Sequence, residues 1–387
     1  MENKRQNYNR WIPVAAPSLQ GNEKRYVMDC LDSTWISSTG EYVDRFEAAF
    51  AEFCGVKHAV SCSNGTTALH LALLALGVGA GDEVIVPTLT FVATANAATY
   101  CGARPVFVDV QPGTWNIDPS LVEAKITERT KGIIVVHLFG HPVDMDPILA
   151  IASRRGLFVV EDAAQAHGAE YRGKRIGSLG DMATFSFFGN KIITTGEGGM
   201  VVTNDDAIAD KVRLLKNHGM DPNRRYWHPV LGYNYRMTNV AAAIGLAQVE
   251  KVHEQIAGRR EVASRYRKRL REAEGVSWQA EETWAKHVWW MFSVLLDESL
   301  RPDRDNLIDA LAARGIETRP IVHPLHTLPT YAAAWRGEDF PVAERIARRG
   351  LNLPTWVGLS EEQIAQVCSE LCAAAGATKR TCAPTRG

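Results

Sequence analysis

Residues 184–200 read TFSFFGNKIITTGEGGM and contain the side chain on which the interpretation of the whole chain depends, Lys191. The lysine follows an aromatic, strand-like run and precedes a glycine-rich turn, in a region with few other charges. A lysine in an apolar pocket has a lowered pKa and can attack a carbonyl carbon, whereas a structural lysine normally points to solvent. This stretch therefore predicts a reactive lysine just after a buried strand.

A second stretch, SCSNGTTAL at residues 61–69, predicts a strand that ends in a glycine-containing turn at the start of a helix. Backbone N–H groups at a helix N-terminus, joined by threonine hydroxyls, can hold a phosphate. An ordinary helix cap is the simpler alternative for the Asn-Gly-Thr sequence. The stretch is neither a Walker A loop nor a GxGxxG motif, so it does not support nucleotide hydrolysis or dinucleotide binding.

A third stretch, VVEDAAQAHG at residues 159–168, is an apolar strand that ends in an acidic pair. A carboxylate at the carboxyl end of such a strand lies where open α/β sheets bind ligands. Asp162 alone could ligate a metal, hold a ribose or pair with a protonated ring nitrogen. Together with the phosphate cradle, the Ser186 hydroxyl and Lys191, it completes the parts that a pyridoxal phosphate site needs.

Short apolar strand patterns alternate with helical patterns from about residue 22 to residue 204, which is typical of a sheet built from βαβ units. Strands are predicted at residues 58–62, 83–86, 105–110, 132–138, 157–161, 183–187 and 199–203. One long helical pattern then covers residues 238–274, and strands are predicted at 288–296 and 317–322.

These patterns predict an α/β protein with two domains. We expect a large domain with a mostly parallel sheet at residues 13–255, a smaller α+β domain at 256–375 and a flexible tail at 376–387. With 43 Lys and Arg against 44 Asp and Glu, the net charge is −1, which excludes a strong basic field for nucleic acid. The sequence also predicts no membrane span, no signal peptide and no metal-binding motif.

The seven cysteines are odd in number and lie mostly in apolar runs, without the spacing of a disulfide framework. This pattern favours a reducing compartment and predicts a cytoplasmic protein.

The ordered motifs resemble the DegT family of sugar-nucleotide aminotransferases, within the fold-type I pyridoxal phosphate enzymes related to aspartate aminotransferase. The resemblance covers roughly residues 13–375. Besides the three stretches above, the motifs that carry it are PTLTFVATANA at 87–97, GYNYRMTNVAAAIGLAQ at 232–248 and RPIVHPLHTLPTY at 319–331. A subset of this family has histidine in place of the reactive lysine and removes oxygen instead; because Lys191 is present, amino transfer is the expected reaction.

The resemblance implies a role for each matching position. Lys191 would bind pyridoxal 5'-phosphate and move the proton, and Asp162 would pair with the ring nitrogen. The remaining cofactor contacts would come from Gly65, Thr66, Phe91, Gln165, Ser186 and Asn234. Of these, Phe91 would stack on the ring and Asn234 would reach the phosphate of a neighbouring subunit, which implies a homodimer with shared sites. Some relatives place that contact two residues later, at Arg236, and His326 is expected near the sugar.

The segments at residues 135–148 and 187–205 resemble the perosamine synthase subfamily. The resemblance implies that L-glutamate donates an amino group to the C4 ketone of GDP-4-keto-6-deoxy-D-mannose, giving GDP-perosamine for polysaccharide biosynthesis such as that of O-antigen. Three alternatives stay open: a TDP- or UDP-linked 4-keto or 3-keto sugar, a pyridoxal phosphate enzyme of another class such as a lyase, and a non-catalytic regulator that keeps the fold.

Overall fold

A computed structural model describes residues 11–300 and 303–377 of the chain. The predicted tail at 376–387 falls outside the described residues from position 378 onward. Within the described ranges, none of the helices has the length and apolar character needed to cross a membrane.

The largest sheet has seven strands and supports the predicted reactive residues. Its strands are β1 (His58–Cys62), β2 (Glu83–Pro87), β3 (Arg104–Val108), β4 (Thr130–Val136), β5 (Phe158–Asp162), β8 (Met182–Ser186) and β9 (Gly199–Thr203). They lie in the order β1-β9-β8-β5-β4-β2-β3. Strands β3, β2, β4, β5 and β8 are parallel to one another, whereas β9 is antiparallel to both β8 and β1.

The seven predicted strands of this sheet are confirmed, and each end lies within two residues of its predicted position. They are recognisable because helices cover the sheet and leave nearly every strand residue buried and apolar. These helices are α1 (Glu23–Asp32), α2 (Glu41–Cys54), α3 (Gly65–Ala75), α4 (Ala93–Tyr100), α5 (Pro119–Val122), α6 (Met145–Arg155), α7 (Asp206–Lys216) and α8 (Asn239–Glu250).

The long helix predicted at residues 238–274 is two helices in the structure. Helix α8 ends at Glu250 and α9 (Val252–Leu270) begins after Lys251, whose φ of −112° and ψ of 7° are not helical. The two helices have different environments: Gly245 of α8 packs so closely on the Phe46 ring that a Cβ there would lie 2.6 Å from it. Helix α8 is apolar on almost all faces and α9 alternates apolar with charged residues. Both patterns are helical and they follow each other without a gap, so the sequence predicts one continuous helix.

The C-terminal part contains a four-stranded antiparallel sheet in the order β10-β12-β14-β13. These strands are β10 (Val276–Trp278), β12 (Phe292–Leu296), β13 (Arg319–Pro320) and β14 (Gly350–Leu353), with helices α10 (Arg304–Ala312), α11 (Pro341–Arg349) and α12 (Glu361–Ala375). A third sheet joins the two parts, because β11 (Ala285–Lys286) pairs with β6 (Glu170–Tyr171), which pairs with β7 (Lys174–Arg175).

The predicted strands of this part were too long. The strand predicted at 288–296 begins only at Phe292, and the one at 317–322 is limited to Arg319–Pro320. Residues 288–291 are apolar because they are buried between the two parts of the molecule, not because they belong to a strand. The α/β fold class is confirmed.

Two hydrophobic cores meet at a pair of adjacent tryptophans. Trp290 belongs to the core around the seven-stranded sheet, whereas Trp289 belongs to the core of the C-terminal part. Trp289 has a φ of +51°, a conformation that bulky side chains rarely adopt, and this turn sends the two indoles in different directions. The proposed domain boundary after residue 255 stays a prediction; Val252 and Ile256 pack in the first core, and later residues of α9 pack in the second.

Candidate active site

The predicted site residues cluster at the carboxyl edge of the parallel strands. Asp162 is the last residue of β5 and Ser186 is the last residue of β8. Lys191 lies in the loop after β8, and Phe91 lies in the loop between β2 and α4. Carboxyl ends of neighbouring parallel strands share one edge of the sheet, and this is where open α/β sheets bind ligands.

Asp162 is a buried carboxylate with few polar partners. Its Oδ2 accepts a hydrogen bond of 2.8 Å from the Thr94 hydroxyl, and its Oδ1 accepts one of 3.2 Å from the Ala164 N–H. Burial raises the pKa of this carboxyl, while the bond from Thr94 opposes that rise. Among the described residues no lysine or arginine forms an ion pair with Asp162. A buried carboxylate that forms no direct ion pair favours binding of a positively charged group.

Lys191 is half-buried and lies over an aromatic ring. Its Nζ is 3.8 Å from the centroid of the Trp290 ring. Burial lowers the pKa of this ammonium to about 8, and the negative charge of Asp162 acts in the opposite direction. An amine with such a pKa is partly deprotonated near neutral pH and is therefore available as a nucleophile.

The turn before α3, which the sequence predicts to be a phosphate cradle, is a capped helix N-terminus. Asn64 caps the helix: its Oδ1 accepts a 2.9 Å hydrogen bond from Thr67 N, and Thr67 Oγ1 accepts a 3.1 Å bond from Asn64 N. The next amides, those of Gly65 and Thr66, have no partner within the helix because they lie in its first turn. A Cβ on Gly65 would lie 2.7 Å from Ser186 Cβ, so only glycine lets the turn approach β8 this closely.

Gln165 and Phe91 differ in solvent exposure: Gln165 is buried and Phe91 is exposed. The Gln165 side chain is buried, and its Oε1 accepts a 2.7 Å hydrogen bond from the backbone N–H of Phe139. The Phe91 ring is 59% exposed, an unusual state for a phenylalanine and one that a stacked planar ligand would remove.

The remaining three predicted residues, Asn234, Arg236 and His326, form no side-chain hydrogen bond with Asp162, Lys191 or Ser186 within the part of the chain that the structure describes. Asn234 is exposed, and its Oδ1 accepts hydrogen bonds of 3.1 and 3.0 Å from the guanidinium of Arg236. His326 is buried against the Phe340 ring, with its Nδ1 2.7 Å from the Thr88 hydroxyl and its Nε2 3.2 Å from a Glu344 oxygen. The sugar contact expected of His326 stays a prediction, and both of its nitrogens already have partners within the chain.

Three residues of the site were not predicted from the sequence. Thr94 lies within the quoted motif at 87–97, but one hydroxyl in an alanine-rich helix gives no signal of its own. Trp290 and Phe139 are apolar residues in apolar runs, which predict only burial. Their rings stack at 6.3 Å between centroids with planes 17° apart, and Trp290 reaches the site from the C-terminal part of the chain.

The residues fit pyridoxal phosphate on the observations above. Asp162 offers a buried negative charge for a protonated ring nitrogen, the amides after Asn64 offer a phosphate cradle, and Lys191 offers a nucleophile of lowered pKa. Phe91 offers an exposed ring for stacking.

Comparison with known proteins agrees with this geometry. Residues 17–372 match the model of the DegT/DnrJ/EryC1/StrS aminotransferase family. The chain is 57% identical to the GDP-perosamine synthase of Caulobacter vibrioides, over 93% of this chain and 97% of that protein. It is 50% identical to the GDP-perosamine synthase of Escherichia coli O157:H7, over 94% of this chain and 98% of that protein.

Solved structures extend the likeness to three dimensions. The crystal structure of S. venezuelae DesV in complex with a ketimine intermediate superposes with a TM-score of 0.86 at 38% identity, covering 92% of this chain and 94% of that one. A family match over nearly the whole chain and high identity over the same span lead to one assignment. The chain belongs to the DegT/DnrJ/EryC1/StrS aminotransferase family.

Proposed function

We propose that this aminotransferase moves the amino group of L-glutamate to the C4 ketone of GDP-4-keto-6-deoxy-D-mannose, giving GDP-perosamine. The observation that carries the chemistry is the placement of Lys191 and Asp162 at one edge of the sheet, beside the amide cradle after Asn64. Support for the substrate comes from identities of 57%, 50% and 46% to GDP-perosamine synthases, each over more than nine-tenths of both chains.

Each residue has a defined task in this proposal. Pyridoxal phosphate, when bound, supplies the electron sink that allows a proton to leave the carbon that carries the amine. Lys191 binds the cofactor through Nζ and then carries a proton at that nitrogen between donor and cofactor. Asp162 accepts a hydrogen bond from the ring nitrogen and keeps that nitrogen protonated, and Thr94 fixes the orientation of the carboxylate.

The rest of the cradle binds and orients. Gly65, Thr66 and Ser186 hold the phosphate through two amides and a hydroxyl, Phe91 stacks on one ring face, and Gln165 contacts the phenolic oxygen. Because the Gln165 oxygen already accepts a bond from Phe139, its NH₂ group is the part left to donate to the ring.

We propose a homodimer in which each subunit completes the other's site. The loop between α7 and α8 exposes four large apolar side chains, Tyr226 at 74%, Trp227 at 50%, Val230 at 43% and Leu231 at 85%. Such a patch is expected to be covered by another protein surface. Asn234 follows directly and is also exposed, so docking of the loop on a second copy would bring its amide to the partner's phosphate cradle.

We further propose that the enzyme works in the cytoplasm. All six cysteines within the described residues are free, in keeping with a reducing compartment.

The test of the substrate is a competition. Purified protein, pyridoxal phosphate and L-glutamate are incubated with a mixture of GDP-, TDP- and UDP-linked 4-keto-6-deoxy sugars, and the product masses are read. Conversion of the GDP-mannose-derived ketone alone to an amine would support the proposal, with Lys191→Ala as the inactive control. Conversion of only a TDP- or UDP-sugar would overturn the substrate assignment and leave the aminotransferase chemistry in place.

A further inference from the structure

The reactive lysine has an aromatic neighbour from the other part of the chain, and the sequence motifs of the site do not include it. Trp290 is 8% exposed and presents its ring to Lys191 Nζ at 3.8 Å. A cation at this distance from an indole is stabilised by the ring's negative face, and tryptophan is the side chain that does this best.

Trp290 is held in place from three directions. Its indole Nε1 donates a 2.7 Å hydrogen bond to the backbone oxygen of Asn190, the residue before the lysine. The Phe139 ring stacks on it, and the guanidinium of Arg259 donates a 2.8 Å hydrogen bond to its backbone oxygen. The indole is therefore fixed relative to the turn that carries Lys191, not merely near it.

Backbone strain marks the same place. Trp289 and Phe139 have φ values of +51° and +55°, which non-glycine residues rarely adopt. Gly140, next to Phe139, packs closely on the segment that carries the two tryptophans. A Cβ at this position would lie 2.8 Å from Val288 Cγ2 and 3.1 Å from Trp290 N. Strained residues that persist in this way concentrate at functional sites, because the surrounding structure must hold them.

We propose that Trp290 is a positioning residue for Lys191: its ring binds the ammonium whenever the lysine is not bonded to the cofactor, and its hydrogen bond to Asn190 fixes the turn. The inference rests on the proposed function, in which Lys191 is released during each half of the reaction. The ring favours the charged form of the amine and thereby limits the effect of burial on its pKa.

The groups that act on Lys191 are few. Asp162 from β5 raises the pKa of the amine. His167, in the loop after β5, interacts with Lys191 and with Arg259 of α9; burial lowers its pKa to about 3, so it is neutral at the pH values that matter here. Since these groups stay the same in variants of Trp290, a change in the titration of Lys191 reports the indole.

The experiment follows covalent addition of pyridoxal phosphate to the apoprotein as a function of pH, by the absorbance of the adduct. Borohydride reduction and peptide mass then identify the lysine that reacted. In the wild type the rate of adduct formation should rise with pH through a midpoint of about 8, where the amine loses its proton. Trp290→Met fills part of the volume without a π face, and its midpoint should fall by about half a unit to one unit.

Two further variants make the result specific. Trp290→Phe keeps an aromatic face, so its midpoint should lie closer to the wild type than that of Trp290→Met. Trp356→Phe is the matched control, because its indole Nε1 also donates to a backbone oxygen, that of Pro13 at 3.1 Å, but in the other core. Its midpoint should not move.

Equal midpoints in Trp290→Met and Trp356→Phe would overturn the proposal, as would equal shifts in the Met and Phe variants at position 290. If Trp290→Met fails to fold, Trp290→Phe is compared with the wild type alone. Phenylalanine binds a cation less strongly than tryptophan, so the midpoint of this variant must fall, and an unchanged midpoint would overturn the proposal. An absence of any reducible adduct at Lys191 in the wild type would instead refute the proposed function.

Discussion

Two regions of the molecule that are proposed to bind one cofactor differ sharply in how complete they are. At the edge of the seven-stranded sheet, Asp162 is buried and bonded to Thr94, and Lys191 lies on the Trp290 ring. In the loop between α7 and α8, Leu231 is 85% exposed, and among the described residues the side-chain amide of Asn234 forms hydrogen bonds only with Arg236. One region is organised by contacts within its own chain, whereas the other exposes large apolar groups in the single chain, a feature that we propose is covered by a second copy.

The largest effect is expected at the organised region. Lys191→Ala removes both the nucleophile and the proton carrier, so amine formation should fall by at least about a thousandfold, measured by product mass at saturating substrates. The fold should persist, with a thermal midpoint near that of the wild type, because no ion pair depends on this lysine among the described residues. Activity above a tenth of the wild type would remove Lys191 from its assigned role.

Asp162→Ala should have the next largest effect. The ring nitrogen would lose its negative partner in a buried site, and turnover should fall by roughly a hundredfold to a thousandfold even if cofactor stays bound. The measurement is single-turnover conversion with L-glutamate, with cofactor occupancy read from absorbance. Turnover at the wild-type rate would show that Asp162 does not act on the ring.

The exposed loop should respond through assembly, not chemistry. Leu231→Asp places a charge on the surface proposed to be buried between subunits and should weaken the dimer by about 2 kcal/mol, a factor of roughly 30 in its dissociation constant. Sedimentation at several concentrations measures this, and activity should fall in step with the dimer fraction. Leu121→Asp is the matched control, since Leu121 is exposed on α5, well outside the loop. If Leu231→Asp loses activity but remains a dimer, the loop does not form the dimer interface.

The smallest effect is expected from Thr94→Val, which removes one hydrogen bond to Asp162. The bond from Thr94 lowers the pKa of the carboxyl, so its loss raises that pKa further and protonates Asp162 at higher pH. The acid limb of the turnover profile should therefore move to higher pH, with about a tenfold loss at neutral pH. Thr99→Val, on the same helix but facing Tyr331, should leave the profile in place.

The organised region is also the part that could be predicted from the sequence. The seven sheet strands were found because burial on both faces makes them continuously apolar, and Asp162 and Lys191 stand out as charges at the ends of such runs. Trp290 could not be found in the same way. An aromatic residue in the run VWWMFSVLL predicts burial alone, and its partner lies 100 positions earlier in the chain.

The break between α8 and α9 could not be predicted for a related reason. The break at Lys251 depends on which surface each helix packs against, and that is decided by residues far away in sequence, such as Phe46. The contacts of His326 with Thr88 and Glu344 were likewise hidden, because pairs of polar residues separated by many positions leave no local pattern.

The contact between Lys191 and Trp290 joins two parts of the chain that leave the ribosome at different times. Lys286 is registered against Glu170, and the ring that covers Lys191 follows four residues after Lys286. A ribosome that has completed the seven-stranded sheet has therefore released the lysine but not yet its indole. Until residue 290 emerges, Lys191 lacks the indole that contacts its Nζ, and a nascent chain stalled before that point would carry this amine without its aromatic partner.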